Sequence, residues 1–269
     1  MLGIFLFLLC SHFIYARTYY SNSSSSQFPQ DDLYDLAVDY QQTSILSAHV
    51  RCFKASTYGV YFIGTFLPWN NGILDPNATD TIKKAHEGGM RVEISMHVKL
   101  TSKYSGAEQL DIVVDALEKE KIKIQTVWVL ATTLTDNESE WPLFNQTASY
   151  LFLKSYVDRA AELGISVGIY TNKYDWDRIV GKRTFTSDVM LWYHNVRRPG
   201  QNGETEHNFD DFTPFGPFTK PTIKQFAHGE ILCQLRVSRN VYKIDSLVPL
   251  EEVNSSRNGW IYVGGNFKK

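Results

Sequence analysis

From Leu33 onward the sequence repeats one pattern: a short apolar or β-branched run, then a longer stretch whose apolar residues recur at helical spacing. Strand side chains repeat every second residue and helical ones about every 3.6, so this alternation reads as βα units around a parallel sheet. Strands are predicted at Tyr34–Asp39, Val60–Thr65, Arg91–Met96, Gln125–Ala131 and Val167–Tyr170. Helices are predicted between and after them, at Ser44–Ala55, Thr79–Glu87, Gly106–Glu120, Gln146–Leu163 and Tyr174–Val180. In the third helix Leu110, Val113, Val114 and Leu117 share a face. After Gly181 the rhythm changes: Val189–Tyr193, Thr222–Ala227 and Gln234–Val237 read as strands without long helices between them. Five βα units closed by three further strands give eight strands, enough for a TIM-like α/β barrel. The competing arrangement is an open doubly wound sheet. Arg197–Thr219, rich in Pro, Gly, Asn and Asp, exceeds an ordinary connection and reads as a functional loop or lid.

The barrel domain is expected over residues 33–250. Ahead of it, residues 1–16 carry an apolar run from Leu2 to Leu9 and a small residue, Ala16, before Arg17, which reads as a secretory signal peptide. Residues 17–32 are serine-rich and lack an apolar period, the composition of a flexible leader. The tail, 251–269, is polar apart from Trp260–Val263, and no pattern assigns it a place. No other segment has the length of a membrane span, so the expected location is outside the cell or in the lumen of the secretory and lysosomal pathway. In that oxidising setting Cys10 leaves with the signal peptide, and Cys52 and Cys233 remain as an isolated pair. Barrel closure would bring them together. Asn-x-Ser/Thr sequons at Asn22, Asn77, Asn137, Asn145 and Asn254 are candidate glycosylation sites.

The 27 basic and 29 acidic residues leave a net charge of −2, which gives no drive toward nucleic acid. G-x-S-x-G, dinucleotide-binding and P-loop signatures are absent from the sequence. His97 and His194 lack a cysteine or carboxylate at metal-ligand spacing, so neither a metal nor another cofactor is expected. Aromatic residues make up 14% of the chain, a supply compatible with a sugar-binding cleft or with an aromatic core. Oligomeric state has no signal in the sequence.

Four segments in order, AVDY at Ala37–Tyr40, GIYTNKYDWDRIVG at Gly168–Gly181, LWYH at Leu191–His194 and PFGPFTKPTIKQF at Pro214–Phe226, resemble glycoside hydrolase family 25, its nematode lysozymes most of all. The resemblance covers roughly Leu33 to Tyr242 and implies a barrel acting on the β-1,4 bond between N-acetylmuramic acid and N-acetylglucosamine in peptidoglycan. It implies acids at the carboxyl ends of strands: one Asp on the first, an Asp-x-Glu pair after a Trp on the fourth, and an Asp in a Val-Asp-x-Asn context on the last. Only the first is kept, as Asp39. After Trp128, Leu130 and Thr132 stand where the pair is expected, and Ser238 stands for the last Asp. On the third strand, where the family shows an Asp followed by aromatics and Pro-Cys, Glu93, Ser95, Met96 and His97 appear.

Glycosidic cleavage needs a carboxylic acid to protonate the leaving oxygen, and a second group to stabilise or capture the cationic centre. A threonine hydroxyl is too weak an acid for the first task, and leucine has no polar atom. The reading is therefore a secreted lysozyme-like protein with impaired catalysis that binds peptidoglycan or another glycan, in innate defence or signalling. The alternative is an active or weakly active lysozyme with relocated acids, Glu93 being the candidate substitute. Asp136, Glu138 and Glu140, like Asp210 and Asp211, read as solvated charges. Trp69, Tyr170, Trp192 and Tyr193 are the candidate glycan-facing rings.

Overall fold

The computed structural model describes residues 33–40, 44–67, 72–133, 141, 145–249, 252–253 and 256–269. Residues 1–32, where a signal peptide and leader are expected, and Trp69, Asp136, Glu138, Glu140 and the sequons at Asn22, Asn137 and Asn254 lie outside them.

In chain order the elements are β1 (Tyr34–Tyr40), α1 (Ser47–Ala55), β2 (Tyr58–Leu67), β3 (Ile73–Leu74), α2 (Ala78–Glu87), β4 (Arg91–Met96), α3 (Gly106–Lys119), β5 (Ile122–Ile124) and β6 (Thr126–Leu130). Then come α4 (Gln146–Glu162), β7 (Ser166–Thr171), α5 (Lys173–Ile179), β8 (Val189–His194), β9 (Ile223–Leu232), β10 (Leu235–Lys243), β11 (Ser256–Arg257) and β12 (Trp260–Val263). Caps set several helix starts. Ser105 Oγ accepts from Glu108 N, and Glu108 Oε2 accepts from Ser105 N at 2.7 Å, which satisfies two otherwise orphaned donors of α3. Asn145 and Asn172 cap α4 and α5 in the same sense.

Eight strands close into a barrel in the order β1, β2, β4, β6, β7, β8, β9, β10, with β1 paired on both sides. This mixed α/β barrel replaces the open sheet considered above. Its last strand departs from a fully parallel barrel. β10 runs antiparallel to both β9 and β1, because Cys233 and Gln234 turn the chain with φ of 53° and 67°, and a two-residue hairpin reverses a strand. The same turn carries Cys233 to Cys52, and the two form a disulfide with a Cα separation of 5.8 Å.

Large aromatics fill the barrel interior. Phe62, Trp128, Trp192 and Tyr242 pack together there with Ala37, Val60, Leu130, Tyr170 and Met190. Gly168 makes room for them: a Cβ at that position would lie 2.0 Å from the Trp128 ring. Outside the strands a second apolar layer packs under the helices, with Leu110, Val113 and Leu117 of α3 fully buried.

Residues 256–269, which the sequence left unplaced, close the strand-start end. β12 pairs with β11 and, in parallel, with β5, and Gly264 then turns with φ +80° so close to Thr126 that a Cβ would lie 2.3 Å from its backbone nitrogen. Phe267 enters the interior cluster beside Phe62, Trp128 and Tyr242.

The long 197–219 segment lies against the outer face of β8–β10, in the layer that helices occupy elsewhere. Lys224, with no exposed side-chain surface, donates to Asp211 Oδ2 at 2.8 Å and to the carbonyls of Glu206 and Asn208. Arg239 donates to Glu204 and Glu230, each at 2.9 Å. A buried ammonium is costly without such partners, so Asp211 is an anchor rather than the solvated charge expected of it.

Candidate functional site

The carboxyl ends of the parallel strands are where a barrel of this kind gathers polar side chains. At the end of β1, Asp39 is buried beside Phe62 of β2 and directly opposite Ser238 of β10. Across the barrel, Leu130 ends β6 facing the interior cluster, and Thr132 follows two residues on. Strand alternation puts these two on one face.

Thr132 is engaged rather than idle. Its hydroxyl donates to Asp175 Oδ2 at 2.7 Å, and Thr133 donates to the other carboxylate oxygen. His194, from the end of β8, places Nε2 at 3.2 Å from Asp175 Oδ2 and 3.4 Å from Thr132 Oγ1. Asn172 completes the group: its Oδ1 accepts from Asp175 N, and its amide nitrogen lies 3.0 Å from His194 Nε2. Burial of Asp175 acts to raise its pKa, but hydrogen bonds from His194, Thr133 and Thr132 outweigh it and hold the carboxyl below its ordinary value. Asp175 is therefore an ionised acceptor at neutral pH. Tyr170 stacks on His194 at 4.9 Å between ring centroids and donates to Gln225 Oε1 at 2.5 Å.

Asn172 and Asp175 were not singled out in the sequence, although both lie in the GIYTNKYDWDRIVG segment. A signal was available: a polar residue capping a helix immediately after a parallel strand must sit at the barrel mouth. The pairing of His194 with Asp175 likewise escapes a search for ligand spacing, because they lie 19 residues apart, at the end of β8 and in α5. Among the described residues no group of three His, Cys, Asp or Glu is placed to hold a metal ion.

Several expected site residues sit elsewhere. Glu93 has no exposed surface, and its carboxylate accepts from Trp128 Nε1 at 2.8 Å and from Asn266 N and Nδ2 at 3.0 and 2.9 Å. Asn266 belongs to the segment closing the strand-start end, so Glu93 faces away from the mouth. Burial pushes its pKa up to about 7. Trp192 is a core residue with no exposed surface, packed against Phe62 with the rings tilted by 36° and donating to Asn240 Oδ1 at 2.8 Å. Tyr193 follows it on the strand and so points to the opposite, outer face, where its hydroxyl donates to Asp211 under the 197–219 segment. Neither ring is available to a glycan at the mouth. Tyr170 alone of the described candidate rings borders the mouth. Asn77 and Asn145 are both exposed, at the starts of α2 and α4.

Comparison with known proteins fits this arrangement. A family described as Lys-1, lysozyme-like protein 1, matches residues 30–226. Lysozyme-like protein 2 of Caenorhabditis elegans is 40% identical over 219 residues, covering 80% of this chain and 77% of the relative. A probable GH family 25 lysozyme 2 of Dictyostelium discoideum is 26% identical over 206 residues, covering 76% of this chain and 89% of the relative. Among solved structures, a muramidase from Trichobolus zukalii superposes with a TM-score of 0.55 at 16% identity, covering 82% of this chain and 97% of that one. A family 25 glycosyl hydrolase from Bacillus anthracis gives 0.55 at 14% identity, covering 81% and 94%. The chain belongs to the lysozyme-like proteins of the glycoside hydrolase family 25 type.

Proposed function

We propose that this chain is a secreted lysozyme-like protein that binds peptidoglycan or a related glycan at its barrel mouth without hydrolysing it at the rate of a family 25 enzyme. One observation carries the reading: Thr132, where the family resemblance calls for a glutamate, spends its proton on Asp175, a carboxylate held ionised. An ionised carboxylate cannot protonate a leaving oxygen, and a hydroxyl bonded to one is a poorer acid still. Asp39 then stands opposite a serine instead of a second acid. Glu93, the substitute once considered, is enclosed at the far end of the barrel.

A second reading, a weak lysozyme with relocated acids, is favoured by Asp175 itself, since its carboxylate reaches within 2.7 Å of the Thr132 hydroxyl. It could stabilise a cationic centre but leaves the proton donor unfilled. Secretion is supported by the apolar Leu2–Leu9 run before Ala16 and by the Cys52–Cys233 bond, which suits an oxidising compartment. The same setting would put glycans on the exposed Asn77 and Asn145, and the resemblance extends the proposal to innate defence or signalling. The test uses secreted material, whose mass should place the first residue near Arg17. It should sediment with purified insoluble peptidoglycan; protein left wholly in the supernatant contradicts the binding reading.

A further inference from the structure

With Trp192 in the core, Tyr193 under the 197–219 segment and Tyr170 buried against His194, the mouth needs another ring if a sugar is to stack there. Tyr174 is the one Phe, Trp or Tyr exposed among the described residues, at 60%. It lies in the first turn of α5, between Asn172 and Asp175, the two residues through which that helix joins the mouth cluster. One turn later Arg178 bonds the Tyr174 hydroxyl and holds its guanidinium 4.9 Å from the ring centroid. A guanidinium held against the ring fixes its orientation, and at 60% exposure the ring keeps surface free for a ligand. Arg178 also has five N–H donors, of which the bond to Tyr174 uses few. An aromatic face beside fixed donors matches a pyranose, which offers an apolar C–H face and a rim of hydroxyl and acyl oxygens.

We propose that Tyr174, oriented by Arg178, is a sugar-stacking subsite on the rim of the barrel, separate from the degenerate acid positions. The proposal rests on the glycan-binding reading and names the residues that carry it. Asp175, Trp176 and Ile179 anchor α5 from its buried face, so removing an exposed tyrosine leaves the helix in place. Its test is a binding isotherm of the full mature chain on purified peptidoglycan, with unchanged thermal melting as the control for folding. Tyr174→Ala should weaken apparent affinity about tenfold, the scale of losing one well-placed aromatic contact. Tyr174→Phe, which keeps the ring and loses only the hydroxyl, should stay within about threefold of wild type, and Arg178→Gln should fall between the two. Wild-type binding that Tyr174→Ala leaves unaltered overturns the subsite alone. A wild-type chain that fails to bind overturns the glycan reading and the subsite with it.

Discussion

At Glu93 the chemistry of a single buried group sets a measurable pH dependence. Its carboxyl is raised to about 7 by desolvation, against hydrogen bonds from Trp128 and Asn266 that favour the charged form. A carboxyl raised in the folded state holds its proton there while the unfolded chain has released it. The associated stability is complete below about pH 4.5 and is lost as pH rises through about 7, a window worth on the order of 3 kcal/mol. Melting temperature should therefore decline between those limits, and Glu93→Gln should flatten that part of the profile. An unaltered decline in the variant would assign it to other groups. The sequence showed that Glu93 exists and that it stands at a strand position of interest. It could not show which end of the barrel it faces, because its orientation depends on Asn266, 173 residues away. Thr132 posed a similar difficulty: its type ruled out acid catalysis, whereas its bond to Asp175 required the end of β6 and the start of α5 to be brought together.

Among elements, those whose residues repeat with a clear period were legible. The third strand was read to the residue, and α2 to α5 to within one residue at each end. The elements missed were those that depend on partners. β5 is three residues long and exists because β12 pairs with it, and β12 has only Trp260–Val263 to announce it. The tail matters to the barrel all the same, since Phe267 fills its lower interior. Phe267→Ala should remove about 3 to 5 kcal/mol, the usual range for a buried aromatic truncated to alanine. It should also loosen Asn266 from Glu93. Chemical denaturation of the variant measures the loss, and a change under about 1 kcal/mol would mean that the tail is a dispensable appendage. The β9–β10 hairpin was predicted as two strands but not as a reversal, because neither Cys233 nor Gln234 is a usual residue for left-handed φ. The disulfide explains how the turn is retained: the crosslink spans 181 residues, and by loop entropy such a bond is nominally worth about 5 kcal/mol.

For the whole molecule, a closed α/β barrel and a lysozyme-like ancestry are independent of whether the protein still cleaves anything. Fold is held by the aromatic interior, the plugged lower end and the disulfide, and of the acid positions only Leu130 takes part, as an apolar member of the interior cluster. Catalysis depends on a few side chains at the mouth, so their loss leaves the scaffold intact. That separation lets overall similarity to lysozymes coexist with Leu130, Thr132 and Ser238 at positions where the family resemblance implies acids. On the proposed reading, none of the described residues at this mouth delivers a proton to a glycosidic oxygen. The direct measurement is release of new reducing ends from purified peptidoglycan by the mature protein, from acidic to neutral pH, beside an active family 25 muramidase. No release above buffer is expected while the control digests the same material. Sustained release by the wild-type chain, abolished by Asp39→Asn or Asp175→Asn, would contradict it.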